Sequence, residues 1–174
     1  MAASFGIIGR MEGVHRPAIA AYLPRIDGSF SILLDVGANV DSPPEWLQQF
    51  AVMGDEYAKF LFQMDRPRVG ILSTGEERGK GNETTKAAFE LLESIPINFI
   101  GNVEGRDLFS GRADVIVCDG FVGNIALKTA ESLAETMLKL IKKSLMKNPI
   151  RRLGAILSRG AFKEILKVAD YSEY

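Results

Sequence analysis

A loop at residues 101–107 (GNVEGRD) carries residue types that bind an anion. Its two glycines allow backbone N–H groups to turn toward a ligand, and the planar guanidinium of Arg106 matches two phosphate oxygens at once. Asn102 can donate a hydrogen bond to an oxygen that gains negative charge during a reaction. The alternative is a tight turn in which Glu104 and Arg106 pair at the surface, and a short glycine motif does not decide between the two.

A second glycine-rich loop occupies residues 74–82 (TGEERGKGN). It ends at an expected helix N-terminus, where free N–H groups favour anions. Lys80 adds a positive charge, and Asn82 is the expected helix cap. The spacing does not match a nucleotide-binding P-loop, because Gly81 follows Lys80, and the chain has no GxGxxG motif. Nucleotide-driven chemistry is therefore disfavoured.

Two further loops, DVGANVD and CDGFVGN, place polar side chains after apolar runs. Asp35, Asn39 and Asp41 suit magnesium binding, orientation of a partner, or helix capping. Asp119 occupies a position that both catalytic groups and turns use. For each loop alone, an ordinary turn or helix cap and a functional role both stay open. Four such loops, all following strands, together indicate a site.

Nucleophiles and metal ligands are scarce. Cys118 belongs to an apolar run, which favours a buried small hydrophobe over a nucleophile. His15 is the only histidine and has no evident catalytic partner in the sequence. With one cysteine and one histidine, a zinc site is not expected, and a single cysteine fits a reducing compartment.

Alternating strands and helices must position these loops. Short apolar runs predict strands, and Ser42-Pro43-Pro44-Glu45 predicts a capped helix start. Gly123-Asn124 leads into a long helix with apolar residues at helical spacing. This order indicates an α/β fold with a mostly parallel, doubly wound sheet, helices on both faces, and ligands at the carboxyl ends of the strands. The predicted strands are residues 31–36, 68–73, 97–100 and 114–118.

The composition is that of a globular protein. The chain has 174 residues, of which 47% are hydrophobic and 25% charged, which excludes disordered and collagen-like classes. No apolar run approaches the roughly 20 residues needed to span a bilayer, and the start of the chain is a poor signal peptide. These features predict a cytosolic protein.

The formal net charge of −1 conceals an asymmetry. Residues 1–138 carry 12 basic and 19 acidic side chains, whereas residues 139–174 carry nine basic and three acidic ones. The segment after Pro149 separates basic from apolar residues on a helical wheel, and Asn148-Pro149 predicts the turn of a helical hairpin. Such a basic amphipathic hairpin suits an anionic membrane or an acidic protein. The alternative is a solvated basic face, and nucleic acid is disfavoured because aromatic residues are few.

Several motifs together resemble one known family. LLDVGANVD, GEERGKGNETTK, INFIGNVEGRDLFSGRADVIVCDGFVGNIALKT and the terminal YSEY are similar to bacterial phosphate acyltransferases of the PlsX type. The similarity covers essentially the whole chain. It implies transfer of a long-chain fatty acyl group from acyl carrier protein to inorganic phosphate, which gives acyl phosphate for phospholipid synthesis. It also implies a fold like those of phosphotransacetylases and of isocitrate and isopropylmalate dehydrogenases.

The resemblance also implies roles for the loop residues. Arg106 and the Gly105 backbone would clamp phosphate with help from Lys80, and Asn102 or Asn124 would stabilise the oxyanion. No cofactor and no metal are expected. The catalytic candidates are Asn102, Asn124 and Asp119, and the substrate-binding candidates are Gly101, Glu104, Gly105, Arg106, Lys80, Asn82 and Asn39.

Four partners are expected from the resemblance: acylated acyl carrier protein, inorganic phosphate, a second copy of the chain in a homodimer, and an anionic membrane surface at the inner face of the cytoplasmic membrane. The docking candidates for the membrane or the carrier protein are Lys142, Lys143, Arg151, Arg152, Leu153, Leu157 and Lys163.

The expected organisation is a partial catalytic core at residues 1–138 and the basic hairpin at residues 139–170. Because complete family members extend further in both directions, the resemblance implies a fragment that lacks both ends. Three alternatives to the leading function are a short-chain phosphotransacetylase, a metal-dependent dehydrogenase-like enzyme, and an inactive module that binds a membrane or a partner.

Overall fold

The computed structural model describes residues 14–169, with the side chains of residues 14–165. Five strands and five α-helices make up this part of the chain. The strands are β1 (Ala20–Pro24), β2 (Phe30–Leu34), β3 (Arg68–Leu72), β4 (Asn98–Val103) and β5 (Val115–Val117). The helices are α1 (Pro44–Phe62), α2 (Glu83–Glu93), α3 (Gly120–Leu145), α4 (Pro149–Leu157) and α5 (Arg159–Ala169), and a short 3-10 turn spans Gly105–Leu108.

The strands form one mixed sheet in the order β1-β2-β5-β3-β4. β2, β5, β3 and β4 are parallel, which confirms the four strands and the mostly parallel sheet predicted from the sequence. The predicted loop at residues 101–107 is partly wrong, because Gly101 and Asn102 pair with β3 and belong to β4. β1 was not predicted; it pairs antiparallel with β2 at the edge, with Tyr22 opposite Ile32. The carboxyl ends of the parallel strands therefore share one edge, where the polar loops follow.

The main core lies between the sheet and two helices. Alternate residues of the central strands point to one face, and α1 and α2 pack there together. Helices on the opposite face, which a doubly wound sheet requires, stay a prediction. The buried core residues on this face are Ile32, Leu34, Val69, Ile71, Val115 and Val117 from the strands and Leu47, Phe50, Ala51, Ala58, Ala88, Phe89 and Leu92 from the helices.

Two predicted helix starts are wrong and one is confirmed. The N-cap of α1 is Pro43 and not Ser42, and no side-chain hydrogen bond caps this helix. The backbone N–H of Ser42 instead donates to the carboxylate of Asp119. α3 begins at Gly120 rather than after Gly123-Asn124, since the carboxylate of Asp119 accepts from the N–H of Phe121 at 2.9 Å. Asn82 caps α2 as predicted, accepting from the N–H of Thr85.

The chain divides into two compact units, residues 1–125 and residues 126–174. The first holds the sheet, α1, α2 and the first residues of α3. The second holds the rest of α3 with α4 and α5, where Asn148 caps α4 at the predicted turn and Ser158 ends it. The single helix expected after Pro149 is thus two helices, and residues 170–174 lie outside the described chain. No helix within residues 14–169 is long and apolar enough to cross a membrane.

Candidate functional site

A cavity of about 210 Å³ opens at the carboxyl edge of the sheet, above β3 and β5. Its walls come from the loop between β2 and α1, the start of α2, and the start of α3. Ligands of open α/β sheets bind at this edge, so the cavity is the candidate site of the first unit. It is lined by Asp41, Ser42, Leu47, Ile71, Leu72, Asn82, Thr84, Thr85, Cys118, Asp119, Phe121 and Val122.

Asp119 connects two walls of this cavity. It follows β5 directly, and its Oδ2 accepts from the backbone N–H of Ser42 at 2.8 Å. Its Oδ1 accepts from Phe121 and so caps α3. Ser42 is 2% exposed, and its hydroxyl is buried without a hydrogen-bond partner. Asp119 is therefore at the site as the sequence predicts, whereas Ser42, expected as a helix cap, lines the cavity instead.

The third wall is the first turn of α2. Oδ1 of Asn82 accepts from both the N–H and the hydroxyl of Thr85, each at 2.8 Å. The N–H of Thr84 lies in the same turn, where the helix itself supplies no acceptor. Asn82, named from the sequence, therefore lines the cavity chiefly as a cap that orders this turn.

Asp41 adds a second carboxylate to the lining, and the remaining residues are apolar or inert. Leu47, Ile71 and Leu72 contribute aliphatic surface, and Cys118 lies between the polar walls. Burial, and next the negative charges of Asp35 and Asp119, raise the pKa of the Cys118 thiol far above its ordinary value. A thiol that stays protonated is a poor nucleophile, which agrees with the sequence prediction for Cys118.

Asn39 supports the first wall through its neighbour Asp35. The Asp35 carboxylate is fully buried and accepts from the N–H groups of Ile19, Ala38 and Asn39, and from the Asn39 amide at 2.9 Å. The other amide hydrogen of Asn39 goes to the carbonyl of Pro17. Asn39, a predicted substrate-binding residue, thus has both of its amide hydrogens bound within the protein.

Arg106 lies at the neighbouring strand end, after β4, in a cluster of ion pairs. Its Nη2 is 2.8 Å from Oε1 of Glu76 and its Nε is 3.1 Å from Oε2 of Glu104. Arg112 contacts Glu76 as well, and hydrogen bonds from Arg112 and then Arg106 hold the pKa of Glu76 below its usual range. The side chain of Arg106 is 68% exposed, so the surface pairing of Glu104 and Arg106 considered from the sequence is present.

The other predicted site residues are distributed along the same edge. Asn102 is buried, with its amide nitrogen bound to the carbonyl of Glu77 at 2.7 Å and its Oδ1 without a partner. Gly101 adopts φ +90°, beside the ring of Phe89. Lys80 is exposed and makes no ion pair within residues 14–165. Asn124 is exposed beside Gly37. Among the predicted site residues, only Asn82 and Asp119 line the cavity.

All seven docking candidates are exposed in the second unit. The Arg151 side chain reaches the carbonyl of Ser144 at 3.4 Å, and the Nε of Arg152 donates to the carbonyl of Met146 at 3.2 Å. These arginines therefore satisfy carbonyls at and just beyond the end of α3. On α4, Leu153 and Leu157 are 59% and 79% exposed, and Ile150 is 83% exposed.

A buried charge network that the sequence did not reveal lies at the opposite, amino edge of the sheet. Asp114 precedes β5 and binds the guanidinium groups of both Arg25 and Arg68. Arg25 also donates to Ser31 and to the carbonyl of Ala113. Since ligands bind at the carboxyl edge, we assign this network to stability rather than to the site.

Comparison with known proteins places the chain in a family. The family model described as "Fatty acid synthesis protein" matches residues 1–174. A phosphate acyltransferase from Acidobacterium capsulatum is 53% identical over all of this chain and 51% of that protein. One from Thermodesulfovibrio yellowstonii is 52% identical over all of this chain and 50% of that protein. The chain spans about half the length of these curated relatives.

Solved structures share the architecture. EutD phosphotransacetylase from Staphylococcus aureus superposes with a TM-score of 0.60 at 21% identity, covering 76% of this chain and 46% of that one. A phosphotransacetylase from Streptococcus pyogenes gives 0.54 at 19% identity, covering 71% and 44%. These likenesses establish the mixed α/β fold. Because the family model matches every residue, the chain belongs to the fatty acid synthesis protein family.

Proposed function

We propose that this chain is part of an enzyme that transfers a long-chain fatty acyl group from acyl carrier protein to inorganic phosphate. The observation that carries the proposal is the cavity at the carboxyl edge, where polar groups from three helix starts face an aliphatic wall. Such a cavity suits a phosphate that meets the first carbons of an acyl thioester. The relatives named phosphate acyltransferase support the same reaction.

The chemistry needs positioning more than a protein nucleophile. A phosphate oxygen attacks the thioester carbonyl, the new C–O bond forms, and the C–S bond breaks. The thiolate that leaves takes up a proton released from phosphate, so the products are acyl phosphate and the carrier thiol. Because phosphate is itself the nucleophile, the enzyme contributes to the rate by holding it against the carbonyl. The protonated, buried Cys118 is compatible with this direct transfer.

The charged residues after β3 and β4 have a proposed role at the entrance. Lys80 is exposed without an ion pair in the described chain, and Arg106 and Gly105 are exposed in the loop after β4. We propose that the positive charges of Lys80 and Arg106 attract phosphate to the site. Phosphate would replace Glu76 on Arg106 while Gly105 offers its N–H. Glu104 and Gly101 shape this loop, and Asn102 and Asn124 are the candidates for oxyanion stabilisation.

The second unit has a proposed docking role. Its basic residues and the exposed aliphatic face of α4 suit an anionic membrane surface, and the same cations suit an acidic carrier protein. We place the protein in the cytoplasm, associated peripherally with the membrane and acting as a homodimer. We propose that the chain divides by function into a catalytic core at residues 1–138 and a basic docking arm at residues 139–170. We also propose that its fold is related to those of isocitrate and isopropylmalate dehydrogenases.

The test is an assay of phosphate-dependent thiol release from long-chain acyl carrier protein, using the 174-residue chain. We expect release that rises with phosphate and produces acyl phosphate. Acetyl-CoA serves as the second donor, because the fold is shared with phosphotransacetylases. Activity confined to acetyl-CoA would contradict the proposal and favour the short-chain enzyme. No activity with either donor would favour a docking module.

A further inference from the structure

Three helices start at the cavity. α1, α2 and α3 have 19, 11 and 26 residues, and a residue at or next to each N-terminus lines the wall. The N-terminus of a helix carries a partial positive charge and N–H groups without intrahelical acceptors. In the described chain, the N–H of Thr84 has no acceptor. Converging helix starts favour an oxyanion.

Ser42 supplies an independent observation. It lines the cavity, it is 2% exposed, and its hydroxyl lacks any hydrogen-bond partner. A buried hydroxyl without a partner lowers the stability of the folded protein. An oxygen atom of a bound ligand would give this hydroxyl the acceptor that the protein does not provide.

Asp119 limits which oxyanion fits. Its carboxylate offers about four lone-pair positions, and the N–H groups of Ser42 and Phe121 occupy two. A carboxylate repels an anion that has no hydrogen to donate, but it accepts from one that carries an O–H group. Inorganic phosphate keeps a P–OH at neutral pH, whereas sulfate has no O–H there.

We propose that this cavity is a phosphate subsite in which the Ser42 hydroxyl donates to a phosphate oxygen and Asp119 accepts from the P–OH group. The subsite rests on the proposed function, for which it names the residues that hold the attacking phosphate. It differs from a clamp centred on Arg106, whose guanidinium already has two carboxylate partners. It also predicts selection for phosphate over sulfate.

Titration calorimetry with inorganic phosphate and no acyl donor tests the subsite on the 174-residue chain. Ser42→Ala should weaken phosphate binding about tenfold to a hundredfold, as expected for loss of a hydrogen bond to a charged group. Ser73→Ala is the matched control, because the Ser73 hydroxyl is also buried without a partner but Ser73 does not line the cavity. Its affinity should stay within about twofold of the parent chain.

Thermal unfolding separates binding from folding. Removing an unsatisfied hydroxyl should leave the Tm of Ser42→Ala at or above that of the parent chain. Phosphate affinity that is unchanged in Ser42→Ala, or no phosphate binding by the parent chain, would overturn the subsite. Acyl transfer is measured with a separate donor, so failure of the thiol-release assay with phosphate binding intact would refute only the proposed function.

Sulfate competition tests Asp119. Sulfate should fail to displace phosphate from the parent chain. Asp119→Asn should reduce the difference in affinity between phosphate and sulfate, because an amide nitrogen donates to either oxyanion. Asn is also a good helix cap, so the start of α3 should be retained. Equal displacement of phosphate by sulfate in the parent chain would overturn the assigned role of Asp119.

Discussion

The carboxylate of Asp114 accepts two side-chain hydrogen bonds from Arg68, from Nε at 2.9 Å and from Nη2 at 2.8 Å. The backbone N–H of Arg68 donates to the same carboxylate, at 2.8 Å. Arg25 shares this acceptor from the other side at 3.0 Å. One carboxylate thereby joins the edge strand β1 to the central strands at the end of the sheet away from the cavity.

Replacing Asp114 by Asn should lower the free energy of unfolding by about 3–5 kcal/mol, because it leaves the buried Arg25 guanidinium without a counter-charge. Urea denaturation measures the change. Glu131→Gln is the control, since Glu131 pairs with Lys128 at the surface, and its cost should stay below about 1 kcal/mol. A cost below about 1 kcal/mol for Asp114→Asn as well would show that the network stabilises the fold no more than a surface ion pair does.

The same network predicts a pH dependence. Burial alone would raise the pKa of Asp114, but hydrogen bonds from Arg68 and Arg25 outweigh it and hold the pKa below its ordinary value. A lowered native pKa contributes stability above about pH 4, which is lost as the pH falls through that native value. The stability difference between the parent chain and Asp114→Asn should therefore shrink on acidification below pH 4. A constant difference would contradict this.

Much of the first unit follows from sequence periodicity, and the exceptions have physical reasons. The strands β2 to β5 contain short apolar runs, so they were predictable, although β4 is only partly buried. β1 was missed because its five residues, AAYLP, become a strand only by pairing with β2. Gly120 and Gly123 suggested a loop, but they permit close approach of the α3 backbone to the chain at Asn39 and Asp35.

The site was partly predictable for a similar reason. Asn82 and Asp119 were found because a cap and a carboxylate after a strand have local signatures. The free hydroxyl of Ser42 depends on Asp119 binding the backbone of Ser42 from 77 residues away, which no local pattern reports. The pairing of Arg106 with Glu76 likewise joins two separate loops.

Two helical glycines should respond oppositely to alanine. In Gly123→Ala the new Cβ would collide with the backbone carbonyl of Asp35 and approach the Cys118 sulfur at 2.8 Å. The expected loss is about 1–3 kcal/mol. Gly154 in α4 has nothing within 4 Å of an added Cβ, and Gly154→Ala should instead stabilise its helix by about 0.5–1 kcal/mol. Denaturant titration decides; stabilisation by Gly123→Ala would refute the close packing of α3.

The variant Arg106→Ala distinguishes a role of Arg106 in binding phosphate from a role in stabilising the fold. Because its guanidinium is exposed, the loss of stability should be below about 1 kcal/mol. The KM for phosphate in the thiol-release assay should rise, with kcat largely retained. Arg78→Ala is the matched control, with a 66% exposed side chain paired to Glu93. If both variants leave the phosphate KM unchanged, Arg106 has no part in binding phosphate.

Charge reversal in the second unit tests the docking surface. Lys142→Glu combined with Lys143→Glu alters two exposed lysines without ion pairs in the described chain, and should abolish most co-sedimentation with vesicles rich in anionic lipid. Each basic residue near such a surface contributes about 1 kcal/mol, so reversing two weakens binding more than tenfold. The control, Arg66→Glu with Lys86→Glu, changes the net charge equally within the first unit. Equal loss in both variants would assign the effect to overall charge and not to these helices.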